Sequence, residues 1–307
     1  MLDDARQCIA HIVREIARQT TVCLIVPPGH KPDRAEWGFN DRVRYYEIPT
    51  NDTWARDFGP ITVETDEGLK CVDFKFNGWG LKFAADKDNL INTRLELLSA
   101  LPGPLENRLN FVLEGGSIES DGRGTILTTS RCLLSPNRNG ESSKQEIEKY
   151  MANTLGAKHV LWLDHGALAG DDTDSHIDTL ARLAPNDTII YCGAGDDSDP
   201  NNDHLKAMAV ELKMLRTPEG NPYHLVELPL PSPIHDENGE QLPATYANFL
   251  ISNDYIYLPT YGQERKDTLA SLIIQTVFPD HVVVPVDCRA LIRQHGSLHC
   301  VTMQLPK

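Results

Sequence analysis

Cys300 is the residue of this sequence best placed for covalent chemistry. It ends the run His295–Cys300, in which a loop containing Gly296 leads to the short apolar run Val301–Met303. We therefore expect Cys300 where a loop meets a strand, a position that can hold a nucleophilic thiol rigidly over a cleft. Because neighbouring side chains on a strand point to opposite faces, His299 is a poor candidate for its base. The alternative is that Cys300 is an inert apolar filler, as free cysteines often are.

Two loops in the first half of the chain carry acids that could bind a cation. Asp57 follows Trp54 by three residues, and a planar cation can stack on an aromatic ring while donating to a carboxylate. Glu114 begins the run Glu114–Gly116, whose glycines would let a ligand approach the backbone closely. Both loops can also be explained as structural turns, with Trp54 in the local core and Glu114 in solvent.

A third loop places His176 and Asp178 two positions apart. On extended backbone this spacing points both side chains to one side, as in a site with an acid/base and a charge partner. A helix start capped by Asp174 or Ser175 would explain the same residues. The preceding run Gly170–Asp174 lacks the spacing and the closing glutamate of a calcium loop, so we expect no metal.

These side chains would suit the chemistry of a guanidinium group if the fold brings them together. Several carboxylates would raise the pKa of the Cys300 thiol unless a bound cation offsets their charge. A guanidinium supplies that cation, and its N–H donors match the carboxylates of Asp57, Glu114 and Asp178. His176 would protonate the departing ammonia and then deprotonate the water that resolves the covalent intermediate. The product would be a ureido group, and no metal or organic cofactor is needed.

The elements that must position these residues follow one recurring pattern. Strand pairs with turn signals alternate with single helices four or five times, which predicts ββαβ units packed around an axis with their loops meeting at one end. No long linker interrupts the pattern, so we expect one α/β domain over residues 1–307. The predicted helices are 3–19, 86–100, 141–155, 203–216 and 266–278. The predicted strands are 21–26, 43–48, 61–63, 69–76, 111–113, 116–119, 124–129, 158–163, 188–192, 223–228, 246–252, 255–259 and 281–285.

Composition limits the classes of partner and compartment. The chain has 307 residues and a net charge of −15, which argues against nucleic acid and favours a small cationic substrate. Its seven cysteines are scattered without a C-x-x-C pair, as expected for reduced thiols in a reducing compartment. The acidic start lacks a secretion signal, and every apolar run is too short to cross a bilayer. We therefore expect a cytoplasmic protein without a membrane partner.

Taken together and in order, these motifs resemble the agmatine deiminase and bacterial peptidyl-arginine deiminase family of guanidine-modifying enzymes. The resemblance extends over nearly the whole chain and implies a five-bladed α/β propeller, the pentein fold. The segments that carry it are 51–60 (NDTWARDFGP), 113–120 (LEGGSIES), 124–140 (GTILTTSRCLLSPNRNG), 170–183 (GDDTDSHIDTLARL), 243–249 (PATYANF) and 296–302 (GSLHCVT).

The resemblance also implies a role for each candidate residue. Cys300 would be the nucleophile that forms a thiouronium intermediate, and His176 the general acid/base. Three acids would bind the guanidinium group and complete the catalytic set, with Trp54 lining the substrate pocket. Those acids are Asp57, Glu114 and Asp178.

The activity that this resemblance implies is hydrolysis of agmatine to N-carbamoylputrescine and ammonia, a step of putrescine and polyamine synthesis. Peptidyl or free arginine is the alternative substrate, and a pentein-fold binding protein without turnover is the alternative of another class. The match to an amidinotransferase is weaker. A homodimer is one assembly that such a protein could form.

Two departures from the family pattern bear on these expectations. Residues 293–298 (RQHGSL) replace a run of glycines and an asparagine, which concerns the pocket for the substrate tail. The chain also begins almost at its first long helix, without the Trp/Pro-rich segment that precedes it in the family. We expect one blade to lack a strand there, which would expose an edge or reshape the pocket rim.

Overall fold

Most of the protein consists of hairpins, each joined by a crossover connection to a third strand that runs parallel to the second hairpin strand. The computed structural model describes residues 2–196 and 198–306, and these residues contain five small sheets. In four sheets an antiparallel hairpin is followed by helical segments and then by a strand parallel to the second hairpin strand. The sheet that comes first in the chain pairs two parallel strands. The protein therefore has a mixed α/β fold built from small units.

The strands follow one another in chain order through the five sheets. The first sheet contains β1 (Val22–Val26) and β2 (Val43–Glu47); the second β3 (Ile61–Thr65), β4 (Gly68–Lys75) and β5 (Leu105–Val112); the third β6 (Ile118–Ser120), β7 (Thr125–Thr129) and β8 (His159–Leu163); the fourth β9 (Ala181–Ala184), β10 (Thr188–Cys192) and β11 (His224–Leu228); the fifth β12 (Leu250–Ser252), β13 (Tyr255–Thr260) and β14 (Val282–Asp287).

The helices lie mostly in the crossovers, and several are single turns. They are α1 (Leu2–Ala17), α2 (Arg34–Trp37), α3 (Ala55–Phe58), α4 (Gly78–Leu81), α5 (Ile91–Leu97), α6 (Ser130–Leu133), α7 (Pro136–Asn139), α8 (Lys144–Leu155), α9 (Asn202–Met214), α10 (Glu264–Val277) and α11 (Arg289–Ile292). Short 3₁₀ turns span Asp88–Leu90, Gly115–Ser117 and Ile177–Thr179. Among the described residues, no helix has both the length and the apolar character needed to cross a bilayer.

Helix α1 packs against both the first and the last sheet of the chain. Its apolar residues recur at helical spacing, and Cys8, Ile12 and Ile16 are buried in the same cluster as Leu258 and Val286 of the fifth sheet. Acids in the first turn suit the positive end of the helix. The helix therefore packs the first sheet and the last against one another, next to the segment that carries Cys300.

The predicted alternation of hairpins and helices is confirmed in four units, and the differences concern single strands. Strand β5 (Leu105–Val112) begins six residues before the predicted strand 111–113. Strand β9 (Ala181–Ala184) was missed because its short, partly charged sequence has no apolar alternation of its own. It forms by pairing with β10, where Leu183 lies opposite Ile189. Residues 246–249, predicted as the start of a strand, lie in a turn and an irregular segment before β12.

The prediction that a strand follows Cys300 is wrong. The chain turns there instead, because the Thr302 N–H donates to the His299 carbonyl at 3.1 Å. The Cys300 carbonyl accepts from the Arg56 N–H at 3.1 Å and has no strand partner. Since the backbone is not extended, the side chains of His299 and Cys300 do not have to point to opposite faces.

Candidate active site

The candidate residues lie in the segments that lead into the first strand of each hairpin. Asp57 is on α3 just before β3, Glu114 precedes β6, Asp178 precedes β9, and Asn248 precedes β12. Cys300 follows the last sheet and joins this group through the backbone bond to Arg56. Four hairpin starts and the C-terminal turn thus bring their side chains to one place.

Gly116 marks the point where three functional groups meet. A Cβ atom at this glycine would lie 2.6 Å from Nδ1 of His176, 2.7 Å from Oδ1 of Asp57 and 3.2 Å from Oδ2 of Asp178. The His176 and Asp57 atoms are themselves 3.5 Å apart. Only a residue without a side chain leaves room for this arrangement, which explains a glycine at this position.

Asp57 is held by two donors from other segments. The indole N–H of Trp79 donates to Oδ2 at 2.9 Å, and the Gly116 N–H donates to Oδ1 at 3.1 Å. Trp79 lies in the tight turn of α4, where its own φ is +56° and glycines flank it on both sides. The turn between β4 and β5 is therefore shaped to place an indole N–H on the Asp57 carboxylate.

The Cys300 thiol lies between an amide and a carboxylate. Its Sγ is 3.3 Å from Nδ2 of Asn248 and 4.0 Å from Oδ2 of Asp178. Asn248 in turn accepts the His299 N–H on Oδ1 at 2.9 Å, which fixes its amide plane. Cys300 is only 9% exposed, so access to its sulfur is narrow.

Glu114 is paired with a buried arginine. Nε of Arg138 donates to both Glu114 oxygens, at 2.9 and 3.0 Å, and both side chains are fully buried. The other guanidinium nitrogens of Arg138 donate to Oδ2 of Asp174 at 2.7 Å and to the Thr173 carbonyl at 2.9 Å. Arg138 thereby connects Glu114 to the loop that leads to His176.

One group of potential metal ligands lies beside this pair. Donor atoms of Glu114, Cys132 and His176 lie within 4.8 Å of one another. The Arg138 guanidinium already supplies the positive charge at Glu114, and burial raises the pKa of the Cys132 thiol well above its usual value. A protonated thiol and an occupied carboxylate make a poor donor set for a cation.

Burial sets the protonation states of the main groups. It raises the pKa of Cys300 well above the usual 9.0, and the nearby acids Asp178 and Asp57 raise it further. The pKa of Asp57 is raised well above 3.8 for the same reason, and that of Asp178 is raised to about 7. Burial lowers the pKa of His176 well below 6.5, and the charge of Arg138 adds to this effect. All four shifts therefore favour the uncharged forms of these groups.

Two buried polar atoms of the site have no hydrogen-bond partner within the described protein. They are Nε2 of His176 and Oδ1 of Asp178. Buried polar groups are rarely left unpaired, since each costs free energy comparable to a lost hydrogen bond. An acceptor and a group able to donate or accept are thus available to a ligand.

Trp54 lies on the apolar side of the same site. It is buried in one cluster with Cys300, Phe58 and Trp79. A Cβ atom at Gly296 would lie 2.2 Å from its ring, so this residue of the changed loop 293–298 packs directly against the indole. A side chain at position 296 would therefore displace the Trp54 ring.

All six residues predicted from the sequence are present in this region, but four of their neighbours were missed. The signal for Trp79 was the run Asn77–Gly80 (NGWG), in which glycines flank an aromatic residue. Arg138, Asn248 and His299 lie within segments whose resemblance was noted, but their contacts come from other sheets and leave no local pattern.

Comparisons with known proteins agree with one another. The sequence profile of the Porphyromonas-type peptidyl-arginine deiminase family matches residues 1–306. A Porphyromonas gingivalis crystal structure, provisionally described as an arginine deiminase, is 47% identical with a TM-score of 0.93, covering 100% of this chain and 91% of that one. An agmatine deiminase of C. jejuni with substrate bound is 37% identical with a TM-score of 0.88, covering 98% and 86%. A Vibrio parahaemolyticus protein provisionally named as an agmatine deiminase is 35% identical, covering 98% of this chain and 88% of its own length.

Proposed function

The chain belongs to the Porphyromonas-type peptidyl-arginine deiminase family, and from this premise we propose that it hydrolyses agmatine to N-carbamoylputrescine and ammonia. The observation that carries the proposal is the convergence of Asp57, His176 and Asp178 on Gly116, with the Cys300 sulfur 4.0 Å from Asp178. This is the set of groups that guanidinium hydrolysis through a thiol requires.

The guanidinium binds between the two aspartates. Oδ1 of Asp178 has no partner within the described protein. The Asp57 carboxylate is held in place by the N–H donors of Trp79 and Gly116. The cation favours ionisation of both acids, whose pKa values are raised mainly by burial. Its positive charge also favours the thiolate form of Cys300, because it offsets the nearby carboxylates.

The reaction then proceeds in two balanced steps. Sγ of Cys300 attacks the central carbon and its proton passes to His176, which returns it to the departing nitrogen as the C–N bond breaks and ammonia leaves. Neutral His176 next takes a proton from water, the hydroxide attacks the thiouronium carbon, and the C–S bond breaks. The remaining proton of the attacking water returns to the sulfur as the neutral ureido product forms, and the proton on His176 is released to solvent. Nδ1 of His176 lies at the convergence on Gly116, 3.5 Å from Oδ1 of Asp57, and is the nitrogen that would carry both transfers.

In this proposal Glu114 acts on the reaction through its effect on His176. Both of its oxygens accept from Arg138, and its carboxylate lies within 4.8 Å of a His176 nitrogen. The geometry supports an electrostatic role, in which Glu114 stabilises the protonated imidazole formed during the transfer. Direct contact between Glu114 and the substrate stays a prediction.

Agmatine is favoured over free arginine by the charges around the site. The α-carboxylate of arginine would need a cationic partner. The buried arginines described around the site already bind other groups of the protein. Arg56 contacts Met303 and Gln304, Arg138 binds Glu114, and Arg182 binds Glu119. The net charge of −15 also favours a substrate with a second positive charge.

Peptidyl or free arginine is the second candidate substrate. It is favoured by one observation, the higher identity to the Porphyromonas gingivalis structure, 47%, than to the agmatine deiminase of C. jejuni, 37%. The catalytic steps are the same for either substrate, so only the region that contacts the tail distinguishes them.

The five sheets are the blades of a five-bladed α/β propeller in this proposal. Support comes from the repeated hairpin and parallel crossover in four sheets, and from the way their first strands begin at the shared site. An experimental structure in which the five sheets do not surround the site would contradict this arrangement.

We place the protein in the cytoplasm, where its product would enter putrescine and polyamine synthesis. Seven cysteines without a disulfide among the described residues suit a reducing compartment. Fractionation of the native organism, with the protein found in a secreted fraction, would contradict this location.

The test is to measure ammonia and ureido product with agmatine, free arginine and an arginine-containing peptide in parallel. Cys300→Ala is the blank, and Cys23→Ala on β1 is the control that should keep full activity. Turnover of agmatine alone is the expected result. Turnover of the peptide or of arginine alone would move the assignment to the second candidate. A folded protein that binds agmatine without turning over any of the three would be a binding protein, and the catalytic proposal would be wrong.

A further inference from the structure

His299 is a buried titratable residue that the reaction above does not use. It is 3% exposed, and its Nδ1 lies 2.7 Å from Oδ2 of Asp178. Its Nε2 lies 3.4 Å from a guanidinium nitrogen of Arg182. The imidazole thus fills the space between an arginine and one of the two aspartates proposed to bind the substrate.

The partners of this imidazole determine where its proton lies. A guanidinium can only donate, so Nε2 of His299 must be the acceptor and Nδ1 must carry the hydrogen. Nδ1–H then donates to Oδ2 of Asp178. Burial, and then the charges of Arg56 and Arg182, lower the pKa of His299 well below its usual value, which favours the neutral ring with one hydrogen.

Arg182 is itself fixed by three further contacts. Its Nε donates to Oε2 of Glu119 at 2.9 Å, and another nitrogen donates to the Ala247 carbonyl at 3.0 Å and to the Phe249 carbonyl. Glu119 accepts the Leu183 N–H on its other oxygen. The arginine therefore holds its position relative to β6, β9 and the segment before β12.

The result of this chain of bonds is an asymmetric carboxylate. Oδ2 of Asp178 accepts from His299 and faces the Cys300 sulfur at 4.0 Å, while Oδ1 has no partner. We propose that His299 is a positioning residue that fixes this orientation, so that Oδ1 of Asp178 is presented to the substrate cation. This inference rests on the proposed function of Asp178 as a guanidinium ligand.

Other groups around His299 hold its backbone and complete its surroundings. Its N–H donates to Oδ1 of Asn248 at 2.9 Å, and its carbonyl accepts from Nε of Arg56 at 3.4 Å. Protonation of His176 would lower the pKa of the ring further. Because these contacts use the backbone or act at a distance, a substitution of the His299 side chain leaves them in place.

Two substitutions separate positioning from packing. In His299→Asn the amide nitrogen can occupy the place of Nδ1 and still donate to Asp178, whereas in His299→Gln the longer side chain places its amide near Nε2. Both variants keep a polar, uncharged group of similar size. We expect kcat/KM for agmatine to stay within about threefold of the native value in His299→Asn and to fall by about tenfold to a hundredfold in His299→Gln, mainly through KM. Equal losses in the two variants would overturn the proposal.

A readout that needs no substrate distinguishes this inference from the proposed function. The ¹³C NMR titration of the Asp178 carboxyl, assigned by its disappearance in Asp178→Asn, should shift to higher pH in His299→Gln and stay near the native midpoint in His299→Asn. Unchanged midpoints in both variants would show that His299 only fills space. If the native protein does not turn over agmatine while the midpoints shift as expected, the proposed function fails and the positioning of Asp178 stands.

Discussion

Replacing Asp178 by asparagine should make the ligand-free protein more stable while abolishing its activity. The Asp178 carboxyl is fully buried, and burial raises its pKa to about 7 from the usual 3.8. Ionisation is therefore harder in the folded protein than in the unfolded chain. Protonated Asp178 therefore stabilises the folded protein relative to the unfolded chain. This contribution is fully present below about pH 4 and is lost as the pH rises through about 7.

The size of the effect follows from the same two values. A difference of about 3 pKa units, from 3.8 to about 7, corresponds to about 4 kcal/mol at pH 8 and about 2 kcal/mol at pH 5. Asparagine has nearly the shape of the protonated acid and can still accept from His299, so Asp178→Asn should gain these amounts in the free energy of unfolding. It should also lose agmatine turnover, because the cation loses its charged partner.

Urea unfolding of the native protein and of Asp178→Asn at pH 5 and pH 8, without substrate, measures the difference. Asp66→Asn, in the exposed turn between β3 and β4, is the matched control and should change little at either pH. If Asp178→Asn is less stable than the native protein at pH 8, or if it gains the same free energy of unfolding at both pH values, the fold does not raise the pKa of Asp178 and the reasoning is wrong.

Two further predictions concern the same charges. We expect kcat/KM for agmatine to rise at least tenfold per pH unit between pH 5 and 7, because Asp178 must ionise to hold the cation; a flat profile between pH 5 and 7 would contradict this. We expect Trp79→Phe to lower kcat/KM by about tenfold to a hundredfold, because Asp57 loses its indole donor at 2.9 Å. Trp162→Phe is the control, because it removes a similar indole hydrogen bond, 2.8 Å long and donated to Glu148, that lies outside the site. It should leave kcat/KM unchanged, so equal losses in the two variants would contradict the role of Trp79.

The fold was predictable wherever local pattern and pairing agree. The hairpin β3–β4 and helix α1 have the alternation and the helical spacing that their environments require, and both were predicted within a few residues. Strand β9 was not predictable, because pairing with β10 makes it a strand and its own side chains do not. The turn after Cys300 was missed for a related reason: its backbone partner is Arg56, 244 positions earlier in the chain.

The candidate site shows the same division between local and distant information. Residues such as Asp57 and Cys300 could be singled out because their types and neighbours suggest chemistry. Their partners could not, because the Arg138 pair with Glu114 and the His299 bond to Asp178 join segments from different sheets. His299 illustrates the error best, since the rule that excluded it as the base for Cys300 assumed a strand that does not form.

The charges of the site explain why a guanidinium would bind and why a ureido product would leave. Without a ligand the raised pKa values of Cys300, Asp57 and Asp178 and the lowered pKa of His176 favour the uncharged forms of these groups. A cationic substrate reverses this, since its charge favours two carboxylates and a thiolate in a buried space. Hydrolysis removes that charge, because a ureido group is neutral. The carboxylates then take up protons again, and the product loses the interaction that held the substrate. In the proposed reaction the substrate thus supplies the charge that activates the nucleophile, and the chemistry itself ends the attraction.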